Sequence, residues 1–284
     1  MLKLQTPVTD EKCKVGISYN DRIMMLGSCF SDNIGKQLKD FGFDVCVNPF
    51  GTLYNPASVL NSVRRLVDCV PFAEEECVAI GAGDGRVCSF SHHTSFARST
   101  SSEFLADADK ALSDAAEFFR TCNKVIITLG TSWCFRHIAS DKIVSNCLKR
   151  DAKEFIREFM PSHETSAVLR EMMKLCPDKE FIFTVSPIRH FKDGAHGNQL
   201  SKSSLLLGID AALNEKSDYF PAYEIMMDEL RDYRFYADDM CHPSQQAVDY
   251  IRERFLDWAL PESEHMRLYE NIRIFKRGCH IVKR

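Results

Sequence analysis

The sequence has no C-x-x-C pair, no apolar run approaching about 18 residues and no surplus of positive charge. Each absence excludes something. The 12 cysteines are scattered singly, which rules out zinc-ribbon and thioredoxin-like spacing. Several sit inside apolar stretches, such as Cys46 in DVCVN and Cys134 in SWCF, and are expected to be free, buried thiols in a reducing compartment. The opening MLKLQTPVTDEK carries no apolar core of a signal peptide, and nothing reads as a transmembrane span, so a cytoplasmic location with no membrane partner is expected. A net charge of −4 and a pI near 6.2 give nucleic acid or an anionic membrane no electrostatic support as partners. No internal repeat, low-complexity tract or linker is evident. The 284 residues therefore read as one domain, 1–284, with insertions near 70–100 and 133–160.

What is present is an alternation of strand-like and helix-like periods. Residues 1–20 read as an irregular lead-in. A short apolar strand over 22–26 ends in Gly27, and from Ser31 the residues Ile34, Leu38 and Phe41 recur with helical spacing. A second strand over 44–47 runs into NPFGTLYNP, a structured loop whose Asn55-Pro56 caps the next helix. Strand-like segments at 77–80 and 86–90 flank GAGDG. That glycine run has G-x-G-x-G spacing with no helix after it, so it reads as a hairpin turn and not as a dinucleotide loop. A helix over 102–120 leads to KVIITL (124–129), suited to a strand buried on both faces. Residues 133–137 and 142–146 suggest a second hairpin. A helix over 164–175 precedes another central strand, EFIFTV (180–185). Residues 193–197 read as loop, with Ser201 capping a helix to about 214. Strand-like patches surround Pro221, RFYADDMCHPS reads as loop, and 244–260 as an amphipathic helix. The last twenty residues are expected to pack loosely.

This order argues for an open, largely parallel α/β sheet with helices on both faces. Such sheets place their chemistry at the carboxyl ends of strands. Four ends can be named: Ser28/Cys29, Asn48 to Gly51, Gly130 to Ser132, and Ser186. At the first, strand, tight turn and helix present two nucleophile-capable side chains, Ser28 and Cys29. Near the other end of the chain, Asp239-Met240-Cys241-His242 lets a carboxylate fold back onto Nδ1 of the histidine and leave Nε2 facing outward. Isolated D-x-x-H tetrapeptides are common, and taken alone this one reads more plainly as a capping aspartate beside an ordinary loop histidine. Asn48 lies at a strand end and Ser186, Arg189 and His190 close a central strand, where substrate recognition is expected; Arg189 is the candidate for an anionic group. Of the adjacent pair His92-His93, His93 is a candidate to reach the cleft from an insertion, although a surface loop pair is the plainer reading. No third ligand stands at metal spacing, and neither a metal nor an organic cofactor is expected.

The stretches LGSCFSDNIG (26–35), NPFGTLYNP (48–56), ITLGTS (127–132), TVSPIRH (184–190), NQLSKSSL (198–205) and the long block from 219 to 244 resemble the GSCFA family. The first and last also resemble the terminal blocks of the SGNH (GDSL-like) hydrolase superfamily. The resemblance implies a three-layer α/β/α sandwich, the flavodoxin-like SGNH-hydrolase fold with a mainly parallel sheet. It implies a hydrolase or acyltransferase acting on a small or carbohydrate ester. Gap-free comparison of GSCFSD with GDSLSD puts Cys29 in the nucleophile slot, a one-residue shift puts Ser28 there, and the plain alternative is a buried structural Cys29 beside a helix-capping Ser28. His242 would be the base and Asp239 its orienting acid, and the thiol of Cys29 is expected to ionise readily beside a helix N-terminus and His242. Gly51 fits the superfamily's second oxyanion donor. Where an asparagine would supply the third, this chain has Thr131 and Ser132. The run around Asn146 usually carries a histidine where this chain has Leu148. A binding module on the same scaffold, or a thiol redox protein pairing Cys29 with Cys241, are the competing classes.

Overall fold

A computed structural model describes residues 6–9 and 12–281, with the side chains of 279–281 excepted. The lead-in expected over 1–5 and 10–11, and the chain end at 282–284, lie outside the described residues.

Five parallel strands form the central sheet: β1 (Arg22–Gly27), β2 (Asp44–Val47), β5 (Lys124–Leu129), β9 (Glu180–Val185) and β10 (Ser217–Phe220), in the order β10-β9-β5-β1-β2. Counting these strands alone, the order is 2-1-3-4-5, the flavodoxin-like winding, and its switch point falls between β1 and β5. Every residue of β5 is buried, as the largely apolar, β-branched KVIITL suits in a strand covered on both sides.

Strand alternation divides the core into two layers. Met24, Leu26, Val125, Ile127, Phe181 and Phe183 face one way, onto α2 (Pro56–Asp68), α3 (Ser101–Thr121), α4 (Ser162–Leu175) and α5 (Gly194–Ala212). Ile23, Met25, Ile126 and Ile182 face the other way, onto α1 (Cys29–Asp40), α7 (Gln245–Ala259) and Leu268 of α8 (His265–Ile281). The chain is thus a three-layer α/β/α protein. Between β10 and α7 lie the single turn α6 (Ala222–Glu224), a π-helical turn over Ile225–Glu229 and the loop that carries Asp239 and His242. Among the described residues, no helix is long and apolar enough to cross a membrane.

Local signals account for most boundaries. Asn55 caps α2 by accepting from the Ser58 N–H, with Pro56 at its first position. Ser244 caps α7 in the same way from Ala247. The segments at 78–79 and 87–88 pair antiparallel as β3 (Val78–Ala79) and β4 (Val87–Cys88), so GAGDG is a hairpin connection.

Four expectations are corrected. Helix α1 begins at Cys29, because the Ser28 hydroxyl accepts from the Phe30 N–H and starts the helix there. Helix α5 begins at Gly194, so 194–197 is helical and Ser201 is a buried interior residue and not a cap. The hairpin of β6 (Trp133–His137) and β7 (Lys142–Val144) gains a third strand, β8 (Phe155–Phe159), paired antiparallel with β6. FIREF is too short and too charged to announce itself, and it becomes a strand only because the β6 edge satisfies its backbone. The last twenty residues include helix α8, tied to the body by Asn271 Nδ2 donating to the Phe41 carbonyl at 2.8 Å and by the edge-on Phe41–Phe275 pair. Residues 12–20 are irregular, yet Val15, Ile17 and Tyr19 are buried against the α7 side.

The tightest point is Gly27. Its φ is +137°, and a Cβ there would lie 2.2 Å from the Thr128 carbonyl oxygen. Replacement of Gly27 by alanine is expected to cost about 3 kcal/mol or more, since both the backbone region and the space are denied to an L side chain. Urea unfolding measures this; a midpoint within error of wild type would show that β1 and β5 can separate at this turn without penalty.

Candidate functional site

The four strand ends named above converge at one end of the sheet. Ser28 is fully buried. Its N–H donates to the Thr128 carbonyl (3.1 Å) and its hydroxyl to the Ser186 hydroxyl (3.1 Å), which joins the end of β1 to the end of β9 across β5. Cys29, the first residue of α1, is only partly buried. The turn thus separates its two candidates: the serine is fully buried and the cysteine only partly so.

The Cys29 thiol is not activated in the manner expected. Burial pushes its pKa up, the neighbouring Asp32 carboxylate adds to this, and the N–H groups of Cys29 and Phe30 oppose it without prevailing. Cys241, on the Asp239–His242 loop, is also within its electrostatic reach. Cys29 is therefore a thiol at neutral pH and needs a base to take its proton.

Asp239 and His242 form a close pair, with Oδ2 2.6 Å from Nδ1. The other carboxylate oxygen accepts from the N–H groups of Cys241 and His242, each at 2.9 Å. These contacts, the His242 N–H first, pull the Asp239 pKa down to about 2. The aspartate stays ionised and fixes the imidazole with Nδ1–H toward it, so Nε2 is the free nitrogen. Both side chains are about half exposed, which makes the pair an orienting device and not a source of stability. The loop is held shut by the Ala237 N–H to the His242 carbonyl and the Ser244 N–H to Phe235. Nε2 of His242 has no hydrogen-bond partner among the described residues, and Ser28 is bonded to Ser186 and Phe30 instead.

Asn48, at φ +41°, is the hub of the second strand end. Its Oδ1 accepts from the Gly27 N–H at 2.8 Å, and its Nδ2 donates to Asp32 at 2.6 Å. Gly51, at φ +83°, turns the loop back, and a Cβ there would meet the Cβ of His93 at 2.3 Å. This contact brings His93 to the edge of the site, where Asp32 feels its charge.

The N–H groups considered for the oxyanion are engaged. Gly51 donates to the Asn48 carbonyl (2.8 Å), Thr131 to the Tyr54 carbonyl (3.0 Å) and Ser132 to the Ser201 hydroxyl (2.9 Å). The Thr131 hydroxyl is bonded to Ser201, while the buried Ser132 hydroxyl has no partner. Leu148, at the position where a histidine was anticipated, is fully buried with φ +52°, and its carbonyl accepts from Gly81.

His92 is not a surface residue. It is fully buried in a cage of Phe50, Phe72, Phe96 and Phe104, with Nδ1 2.7 Å from the Ser89 hydroxyl and Nε2 unpaired. Burial drops its pKa to about 3, so it stays neutral. A groove of about 830 Å³ opens beyond this cage, between α2 and the two small sheets. None of Ser28, Cys29, Asp239 and His242 lines it, and its arginines Arg64, Arg65 and Arg136 are paired with Glu171, Glu76 and Glu158. Among the described residues, no group of three or more His, Cys, Asp or Glu side chains is arranged to hold a metal ion.

Lys202 and Tyr54 are the residues that sequence reasoning passed over. Lys202 is completely buried in α5, and its Nζ donates to the carbonyls of Gly130 (2.7 Å) and Ser186 (2.9 Å), where β5 and β9 end. It has no carboxylate partner among the described residues. His190 Nε2 shares the Gly130 carbonyl at 3.2 Å, and burial together with Lys202 lowers its pKa to about 4. The available signal was the helical register of NQLSKSSL, in which Lys202 follows the inward Asn198 by four residues. Tyr54 is half-buried, accepts from the Thr52 hydroxyl and lies near Cys29 and the Asp32 carboxylate.

The fold and these contacts define a doubly wound α/β protein with Ser28 and Cys29 at a strand–helix turn and an oriented carboxylate–imidazole pair on the Asp239–His242 loop. The GSCFA family model matches residues 22–255, and the chain belongs to that family. No curated protein sequence matches it. Among solved structures it is similar to an acetyl xylan esterase (Est2A) from the rumen bacterium Butyrivibrio proteoclasticus, at 10% identity and a TM-score of 0.40, over 85% of this chain. The match spans 64% of that esterase chain, less than two thirds of its length.

Burial lowers the Lys202 pKa from 10.5 to about 7. As pH falls, the unfolded chain takes up this proton near 10.5 and the folded protein only near 7, so folding loses stability across that window. The expected result is that wild-type stability, measured relative to Lys202→Met by urea midpoints, rises between about pH 7 and pH 10.5 and is flat below. A constant difference would mean that Lys202 titrates as an ordinary lysine.

Proposed function

We propose that this protein is an SGNH-type hydrolase or acyltransferase working on a small or carbohydrate ester in the cytoplasm, with Cys29 as nucleophile, His242 as general base and Asp239 as its orienting acid. The observation that carries this reading is the Asp239–His242 pair, 2.6 Å apart with Nε2 left free, on the loop whose Cys241 feels Cys29. The free thiols of the chain favour a reducing setting.

In this mechanism Nε2 of His242 takes the thiol proton as the sulfur attacks the acyl carbon. The tetrahedral oxyanion is met by the N–H of Cys29 at the start of α1, where the helix dipole favours negative charge. The intermediate collapses to a thioester, and the leaving alkoxide recovers the proton from His242. Water or an acceptor hydroxyl then attacks the thioester with His242 again as base, which restores the thiol. The exposure difference between Cys29 and Ser28 supports the thiol over the hydroxyl: Ser28 would have to break its bond to Ser186 and leave the interior.

A second reading is a non-catalytic binding module for a small ester or glycan on the same scaffold. It is favoured by the engagement of the Gly51, Thr131 and Ser132 N–H groups, which leaves few donors for an oxyanion.

Hydrolysis of 4-nitrophenyl acetate separates the readings. Cys29→Ala and His242→Ala are each expected to lower kcat/KM by about 10³-fold or more, and Asp239→Asn by about 10²-fold or more. Ser28→Ala is expected to retain most activity. Undiminished turnover in both Cys29→Ala and Ser28→Ala would sink the nucleophile assignment. Absence of turnover in wild type, together with no His242-dependent labelling by an aryl phosphonate or a thiol alkylator, would favour the binding module.

A further inference from the structure

Beyond the end of β9, Arg189 makes no salt bridge among the described residues. Arg189 is half-buried, three residues beyond Ser186, and its backbone is tied on both sides to Cys241: its N–H faces the Cys241 carbonyl (3.5 Å) and its carbonyl accepts from the Cys241 thiol (2.7 Å). It therefore sits beside the Asp239–His242 loop. Carboxylates on the neighbouring segments have partners of their own. Asp239 holds His242, Asp193 pairs with Arg157, Glu229 with Arg254, Asp228 with Arg231, and Glu224 accepts from the Tyr219 hydroxyl.

The guanidinium rests instead on the sulfur of Met227, 3.2 Å away, and the Tyr236 hydroxyl points at the same sulfur from 3.9 Å. A thioether is a weak acceptor, far below what an arginine fork and a phenol can satisfy. Two strong donors gathered on one weak acceptor are placed to exchange it for an anion. Lys202 contributes to the same field from beneath: Arg189 and Lys202 feel each other, and the Tyr223 ring lies 5.3 Å from the Lys202 nitrogen and within reach of Arg189.

We propose that Arg189 and Tyr236 form an anion-binding subsite, and that the substrate of this cleft carries a carboxylate or a phosphate near its acyl bond. The inference deepens the hydrolase reading by naming the substrate class, and it rests on that reading for the word substrate. Binding of the anion itself does not depend on turnover.

The first measurement is calorimetric titration with inorganic phosphate and, separately, with succinate, which distinguishes the two sources of charge. Wild type is expected to bind at least one of them. Arg189→Met is expected to weaken that binding about tenfold or more, and Tyr236→Phe roughly threefold or more. Tyr236→Phe removes only a hydroxyl and carries the test if Arg189→Met does not fold. Failure of wild type to bind either anion, or equal binding by wild type and the folded variants, would overturn the subsite.

The second measurement compares kcat/KM for 4-nitrophenyl acetate and 4-nitrophenyl hemisuccinate, which differ by one carboxylate on the acyl side. If succinate is the bound anion, wild type is expected to prefer the hemisuccinate and Arg189→Met to lose the preference. Arg189-dependent anion binding with no hydrolysis of either ester upholds the subsite and removes the hydrolase reading. Equal hydrolysis of both esters with no anion binding upholds the hydrolase and removes the subsite.

Discussion

The close approach of Gly27 to Thr128 is the constraint on which the site depends. At this residue the Ser28 N–H reaches the Thr128 carbonyl, the Leu53 N–H reaches the Gly27 carbonyl, and the Gly27 N–H reaches Asn48 Oδ1. Three segments separated by up to a hundred residues are thereby fixed to one backbone unit. Any side chain at position 27 would push β1 from β5, and the Ser28–Ser186 bridge and the first turn of α1 would move with it. Parallel sheets end their strands in a row. Here the row is drawn tight enough for backbone groups to bond from strand end to strand end.

The polar floor of the cleft follows from the same tightness. Strand ends leave carbonyls that no further ladder can satisfy, and buried carbonyls need donors. Lys202 supplies them for Gly130 and Ser186, and His190 shares the first. An ammonium group is costly to bury, and its lowered pKa is the expression of that cost. Two nitrogen-bearing side chains with lowered pKa values thus lie against the strand ends, while the ionised Asp239 holds His242 on its loop. The Cys29 thiol, raised by burial and by Asp32, waits in the neutral form.

Much of this was legible in the residues alone. The strands 22–27, 44–47, 124–129 and 180–185 announced themselves because apolar β-branched runs bounded by Gly, Asn or Ser have few other folded uses. Asn55-Pro56 and Ser244 marked their helix starts because capping is a local bond within four residues. The Asp239–His242 contact was readable for the same reason, since it spans three residues. What escaped reading was non-local. FIREF became β8 by borrowing an edge, Ser201 and 194–197 became helix by packing α5 on the sheet, and α8 docked on Phe41 across more than two hundred positions.

The sequence by itself determined the parallel α/β alternation, the strand–turn–helix at Ser28 and Cys29 and the carboxylate–imidazole pair, because each is written in spacings of a few residues that local sterics and hydrogen bonds decode. Only the tertiary structure decided that Ser28 is fully buried and Cys29 only partly so, that His92 lies in an aromatic cage, that the Gly51, Thr131 and Ser132 N–H groups are already bonded, and that Lys202 sits under the strand ends with no carboxylate partner among the described residues. Those outcomes depend on which groups compete for the same buried donors and acceptors, and such competition is settled between segments that meet only when the sheet closes.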